Sequence, residues 1–146
     1  MTAVIKKLII FFDRGKPLSP LFIRIIVGFH LIYDTKNAAF NSAKMQGVVE
    51  FFASQKIPVA SLLAPIAVYA EFICGFLFIF GLFTRAAATV MIFVFICAVS
   101  IVHIGDSYTN TFPALMMLAG SLSLLFSGSG NFSLDVLFKK TNQTAI

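Results

Sequence analysis

Four long apolar segments divide the chain, at residues 20–33, 62–83, 86–104 and 112–127. A membrane-spanning helix needs about 20 apolar residues, so the second and third are full spans and the outer two are short. The first lengthens toward Ala39 if Asp34 and Lys36 face inward or snorkel. The last suits a small tilt or a locally thin bilayer. Only Thr84-Arg85 separates the second span from the third, which predicts a tight antiparallel hairpin. Between the first two spans, Met45, Val48, Val49 and Phe52 recur at helical spacing, with Gln46, Glu50 and Lys56 available to the other face. That segment, 45–57, is too short to span and reads as an interfacial helix stopped by Pro58. Pro113 suits the start of the fourth span, with Thr109, Asn110 or Thr111 as its cap, and Gly128-Ser129-Gly130 suits its end.

The pattern predicts an all-α membrane protein, a four-helix transmembrane bundle with short interfacial helices. A mean hydropathy of +0.95 with 12% charged residues lies outside the range of soluble domains, and 146 residues suffice for one domain. Residues 1–19 read as a cytoplasmic amphipathic lead-in, 20–137 as the four-span domain and 138–146 as a polar tail. The apolar run at 8–12 is too short for a signal peptide and no small-residue cleavage site follows it. With 18 Phe and no Trp, interfacial anchoring falls to Tyr33, Tyr69, Tyr108 and the flanking lysines.

The net charge of +5 belongs to topology rather than to nucleic acid, because the basic residues flank apolar segments. Four spans put both termini on one side. Lys6, Lys7, Arg14, Lys16, Arg85, Lys139 and Lys140 fall on that side, against Lys36, Lys44 and Lys56 on the other. The positive-inside rule then places both termini in the cytoplasm of a bacterial inner membrane.

Arg24, Glu71 and His103 lie inside the apolar segments. An ionisable group in hydrocarbon costs about 2.5 kcal/mol or more, so such groups face a bundle interior, a partner or a water-filled cavity. His30 and Asp34 share a face of the first span and approach the mouth opposite Arg24; His103, beside Gly105 and Asp106, is expected at the same mouth as that pair. An ionised Glu71 needs a cation such as Arg24 or Arg85. The candidate ligand-binding residues are Arg24, His30, Glu71 and His103; no catalytic residue is identified. Two histidines and two carboxylates near one mouth raise a metal or haem site, but no HxxxH or ExxH spacing exists and no metal is expected. Cys74 and Cys97 form no CxxC pair and read as buried small hydrophobes. Phosphate-loop, dinucleotide-binding and hydrolase motifs are absent.

In order along the chain, Arg24 in Leu21-Phe22-Ile23-Arg24-Ile25-Ile26-Val27-Gly28, the basic Lys36, the connector from Val49 to Pro58, Glu71 with Gly75 and Gly81, Leu82-Phe83-Thr84-Arg85-Ala86-Ala87, His103, and Gly128-x-Gly130-x-x-Ser133-Leu134-Asp135 together resemble the DoxX family of small four-span membrane proteins. The resemblance runs over about residues 20–137. It implies a four-helix membrane bundle with Arg24, Glu71, Arg85, His103 and Asp135 at the family's polar positions. Some relatives are named as subunits of quinone-reducing sulfur-oxidising or other membrane oxidoreductase complexes.

These readings make the chain a non-catalytic subunit of a membrane complex, redox-linked through a quinone-type ligand between helices near Glu71, His103 and Arg24. No cofactor motif is intrinsic to the chain. Its expected partners are the lipid bilayer and either other subunits of the complex or further copies of itself. The alternatives are a structural or assembly subunit without ligand, in which the same residues satisfy one another, and a small-solute transporter built as a homo-oligomer.

Overall fold

The computed structural model describes residues 15–138 together with Ile5, Lys7, Ile10 and Asp13. Most of the proposed lead-in and all of 139–146 lie outside the described residues. Helices α1 (Ser19–Phe40), α2 (Ser42–Ser54), α3 (Ala60–Phe80), α4 (Thr84–Cys97) and α5 (Tyr108–Ser127) follow one another, and no strand occurs among the described residues. Four stretches of the described chain are long and apolar enough to cross a membrane: Lys16–Phe40, Ala60–Phe80, Thr84–Val102 and Tyr108–Ser127. The chain is an all-α membrane bundle.

Pro20, in the first turn of α1, gives up no intrahelical bond there. The helix then runs through Asp34 and Lys36 to Phe40, longer than the apolar run alone. Lys36 snorkels, its ammonium lying 4.0 Å from the centre of the Tyr33 ring. Asn41 turns the chain: its backbone is extended and its side chain accepts a 3.2 Å hydrogen bond from the Lys44 amide, capping α2. The interfacial helix thus starts three residues before the predicted position, at a polar cap that the apolar periodicity does not register. It also ends at Ser54, ahead of Pro58, because Lys56 turns left-handed at φ 58°.

α1 and α3 form the most extensive helix pair, followed by α4 with α5; the α3–α4 hairpin packs less closely. The reason lies in Gly28 and Gly75. A Cβ added to Gly28 would stand 2.6 Å from the Gly75 carbonyl oxygen, and one on Gly75 would stand 2.9 Å from the Gly28 carbonyl oxygen, so the two backbones touch. Around this contact Val27, Leu31, Cys74, Phe78, Met91 and Leu124 make a common core. Burial of Cys74 matches its reading as a small hydrophobe, whereas Cys97 is half-buried; both are free thiols.

The turn from α3 to α4 is Gly81-Leu82-Phe83, and Thr84-Arg85 already belong to α4. Gly81 ends α3 in the left-handed region (φ 64°), with its N–H on the Phe78 carbonyl at 3.1 Å. The α4 rod finishes in a π turn over Ala98–Val102, closed by the His103 N–H on the Ala98 carbonyl at 3.1 Å. α5 begins at Tyr108 with Ser107 as N-cap, and no side chain caps it. Pro113 therefore sits inside the helix, and Thr109, Asn110 and Thr111 occupy its first turn rather than the cap. The physical reason is that Ser107 supplies the turn with its carbonyl, which accepts the Asn110 and Thr111 amides at 3.0 and 3.2 Å. Gly128 (φ 72°) ends α5 as expected.

Candidate functional site

Arg24 is 1% exposed and is the largest fully buried side chain among the described residues. One α1 turn above Pro20, it points into the end of the bundle where α1 starts, α3 ends, α4 starts and α5 ends. Its Nη1 donates to the Ser129 carbonyl and its Nη2 to the Phe132 carbonyl at 2.7 Å, while Nε has no partner. The cation thus ties the segment after α5 back onto the first span. Gly81 makes room for it: a side chain there would collide with the guanidinium and, at 2.6 Å, with the Ser133 Cβ.

Asp135 completes the arrangement from the same returning segment. Its Oδ1 accepts the Phe83 N–H at 2.8 Å, its Oδ2 accepts the Thr84 N–H at 3.2 Å, and its own N–H donates to the Gly81 carbonyl at 3.0 Å. A carboxylate at the N-terminus of α4 satisfies two amides that lack helical partners and meets the positive end of the helix dipole. It also explains why Phe83 tolerates φ 47° between two helices. Arg24 lies within electrostatic reach of Asp135. Ser133 is held by its own hydroxyl, which lies 3.0 Å from the Ser129 hydroxyl and donates to the Gly130 carbonyl at 2.9 Å.

Beside this knot opens a cleft of about 800 Å³, lined among others by Phe83, Thr84, Arg85, Ser129, Asn131 and Asp135. Arg85 is exposed, and the one hydrogen bond of its guanidinium among the described residues, from Nη2 to the Phe126 carbonyl, is long at 3.5 Å.

The other candidates stand elsewhere. Glu71 precedes Gly81 by ten residues, which is about 15 Å along α3, so neither Arg24 nor Arg85 is its counter-ion. It is half-buried, within electrostatic reach of Asp34, and its carboxyl has no hydrogen bond or ion pair with any described residue. Aromatic rings flank this level of the bundle: Phe72 meets Phe40 edge-on at 5.3 Å and Phe76 at 5.1 Å. His30 is exposed on the outer side of α1. His103 follows the π turn at the far end, where its Nδ1 lies 2.9 Å from Asp106 Oδ2. Arg24, His30, Glu71 and His103 do not converge on one cavity. Among the described residues no group of three His, Cys, Asp or Glu is placed to hold a metal.

The Ser129 and Phe132 carbonyls that accept from Arg24, the space left by Gly81 and the nearby Asp135 are what inspection of single apolar segments misses. The available signal was Gly81 and Asp135 together: a glycine closing one span, and an acid just beyond the last span.

The geometry is that of a small membrane bundle closed at one end by a buried arginine. The chain belongs to the DoxX family, whose model matches residues 19–104. The match takes in Arg24, Gly81 and the start of α4. It stops before 128–135, so the closing segment that binds Arg24 lies beyond the matched stretch. No curated protein and no solved structure matches the chain.

Proposed function

We propose that the protein is a non-catalytic subunit of a membrane complex, and that its partner or ligand engages the bundle at Glu71. One observation carries this reading: a carboxyl in the middle of a membrane-spanning helix has no hydrogen bond or ion pair within the described chain. Such a group is costly in hydrocarbon unless something meets it. Arg24, by contrast, already has internal partners.

Two partners suit the chemistry. A basic side chain from another subunit's span would pair with the carboxylate. A quinone-type ligand, the redox-linked form of the proposal, would accept a hydrogen bond from the protonated acid and lay its ring against Phe72 and Phe76. In neither case do His30 and His103 join Glu71 from the same chain. A transport path would likewise have to be lined by several copies. The basic residues near the chain ends further support termini on the cytoplasmic face of a bacterial inner membrane.

The test is native mass spectrometry with solvent extraction on protein purified gently from its own membrane. Glu71→Gln keeps a hydrogen-bond donor and loses the charge, whereas Glu71→Leu loses both. A cationic subunit is expected to leave with either change, and a quinone only with Glu71→Leu. Unchanged partners and extractable molecules in both variants would refute the proposal in favour of a structural role satisfied within the chain.

A further inference from the structure

The cleft beside the Arg24 knot has features that the closure of the bundle does not use. Asp135 has both carboxylate oxygens occupied by the Phe83 and Thr84 amides, and the buried Arg24 lies within its electrostatic reach. Among the described residues Arg85 has no carboxylate partner; its guanidinium reaches only a carbonyl at 3.5 Å and stands beside Gly128 at the rim. Thr84 lines the same cleft, and its hydroxyl is buried without a hydrogen-bond partner. Asp135 takes the Phe83 and Thr84 amides at the start of α4, and the Arg85 amide, in the same first turn, is the next along. An exposed guanidinium, Thr84 with its orphan hydroxyl, and the Arg85 amide of a helix start whose first two amides Asp135 already holds therefore line one space of about 800 Å³.

The walls of that space are amphipathic. Leu82, Phe83, Val136 and Phe138 supply apolar surface, while Ser129 and Asn131 supply polar atoms. The cleft lies where spans α3, α4 and α5 start or end, at the level of a bilayer's headgroups. Lys139 and Lys140 follow Phe138 directly in the sequence, whereas Lys16, exposed at the start of α1, is already paired with Asp13 at 2.7 Å and takes no part in the cleft. A guanidinium is suited to two oxygens of a phosphate at once, and basic clusters at span ends attract anionic lipid headgroups.

We infer that this cleft is a binding site for the phosphate group of an anionic amphiphile, with Arg85 as the principal contact, Thr84 and the first turn of α4 beneath it, and Phe83 and Phe138 against the apolar part. A phospholipid of the surrounding leaflet is the source that these apolar walls favour. The inference does not depend on Glu71 or on any subunit partner.

Phosphatidylglycerol is the probe. The full chain is placed in nanodiscs of phosphatidylcholine with a minor fraction of phosphatidylglycerol, released in the mass spectrometer, and the retained lipid is identified; melting is followed in parallel with added glycerol phosphate. Wild type is expected to retain one phosphatidylglycerol selectively. Arg85→Ala should weaken retention about tenfold, the usual worth of a charge-assisted hydrogen bond, and Arg85→Lys should restore part of it. Lys16→Ala, which keeps an equal net charge to Arg85→Ala, should leave retention unchanged. Arg85 is exposed, so the melting curve of Arg85→Ala verifies that the bundle stays folded. Glycerol phosphate raising the melting temperature only when Arg85 is present, with no lipid retained, would keep the phosphate site and assign its source to the aqueous phase. Equal retention by wild type, Arg85→Ala and Lys16→Ala, or no Arg85-dependent response to either probe, would overturn the inference.

Discussion

Arg24 and Glu71 are both ionisable groups in membrane-spanning helices, yet the bundle treats them in opposite ways. At the closing end, Arg24 is enclosed: two carbonyls accept from it, Gly81 leaves space for it, and Asp135 stands within reach while capping α4. Midway along the same helix pair, Glu71 is half-buried beside another acid and has no partner among the described residues. The difference teaches that an intramembrane charge is not in itself a mark of a binding site. What separates the two is whether polar backbone lies nearby. The loop after α5 brings free carbonyls to Arg24, whereas Glu71 is surrounded by helices whose carbonyls are already bonded within the helix.

The largest expected effect follows from removing the enclosed charge. Arg24→Ala leaves the Ser129 and Phe132 carbonyls unpartnered and Asp135 without its nearby cation, and should cost about 3–5 kcal/mol, measured as lost thermal stability in detergent. Arg24→Lys should rescue little, because one ammonium does not reproduce a planar fork on two carbonyls. If Arg24→Ala melts like wild type, the comparison fails, since Arg24 would then hold nothing together.

Next in size is Gly81→Ala, which puts a Cβ at φ 64° against the guanidinium and should destabilise by about 1–3 kcal/mol. Combined with Arg24→Ala, its penalty should shrink, because part of the clash disappears; full additivity would argue against their contact. Asp135→Ala removes the cap of α4 and should cost about 1 kcal/mol, read from the same melts. At the other region, Glu71→Gln should leave stability within about 0.5 kcal/mol while releasing a cationic subunit bound there. His30→Ala, on the outer side of α1, is expected to alter stability least of all, again within about 0.5 kcal/mol. A large loss for His30→Ala would show that the outer face of α1 has a partner in the assembly being melted.

The sequence was a good guide to the helices and a poor one to their ends. Apolar length alone located four spans, because the bilayer thickness sets how many residues a helix must have. It allowed the first span to lengthen toward Ala39 if Lys36 snorkelled, and Lys36 does lie over Tyr33 in a helix that runs to Phe40. It put Thr84-Arg85 in the turn, whereas both belong to α4, whose start is capped by Asp135 through the Phe83 and Thr84 amides. It read Pro113 as a helix start, whereas Ser107 begins the helix earlier with its backbone carbonyl. Each shift arises at a terminus, where hydrogen bonds from outside the helix compete with local preference.

What the chain determined by itself was the membrane class, the number of spans, the all-α fold and the family, because these depend on hydrophobic length and on residues met in order along the sequence. Only the tertiary structure decided which polar residues meet. It joined Arg24 to the Ser129 and Phe132 carbonyls from more than a hundred positions away, brought Asp135 within its electrostatic reach, and left His30, Glu71 and His103 apart. The cause is the close approach of α1 and α3 at Gly28 and Gly75 together with the return of the chain after Gly128: pairing across helices depends on their register and on the path of the loops, neither of which is written in the periodicity of any one segment.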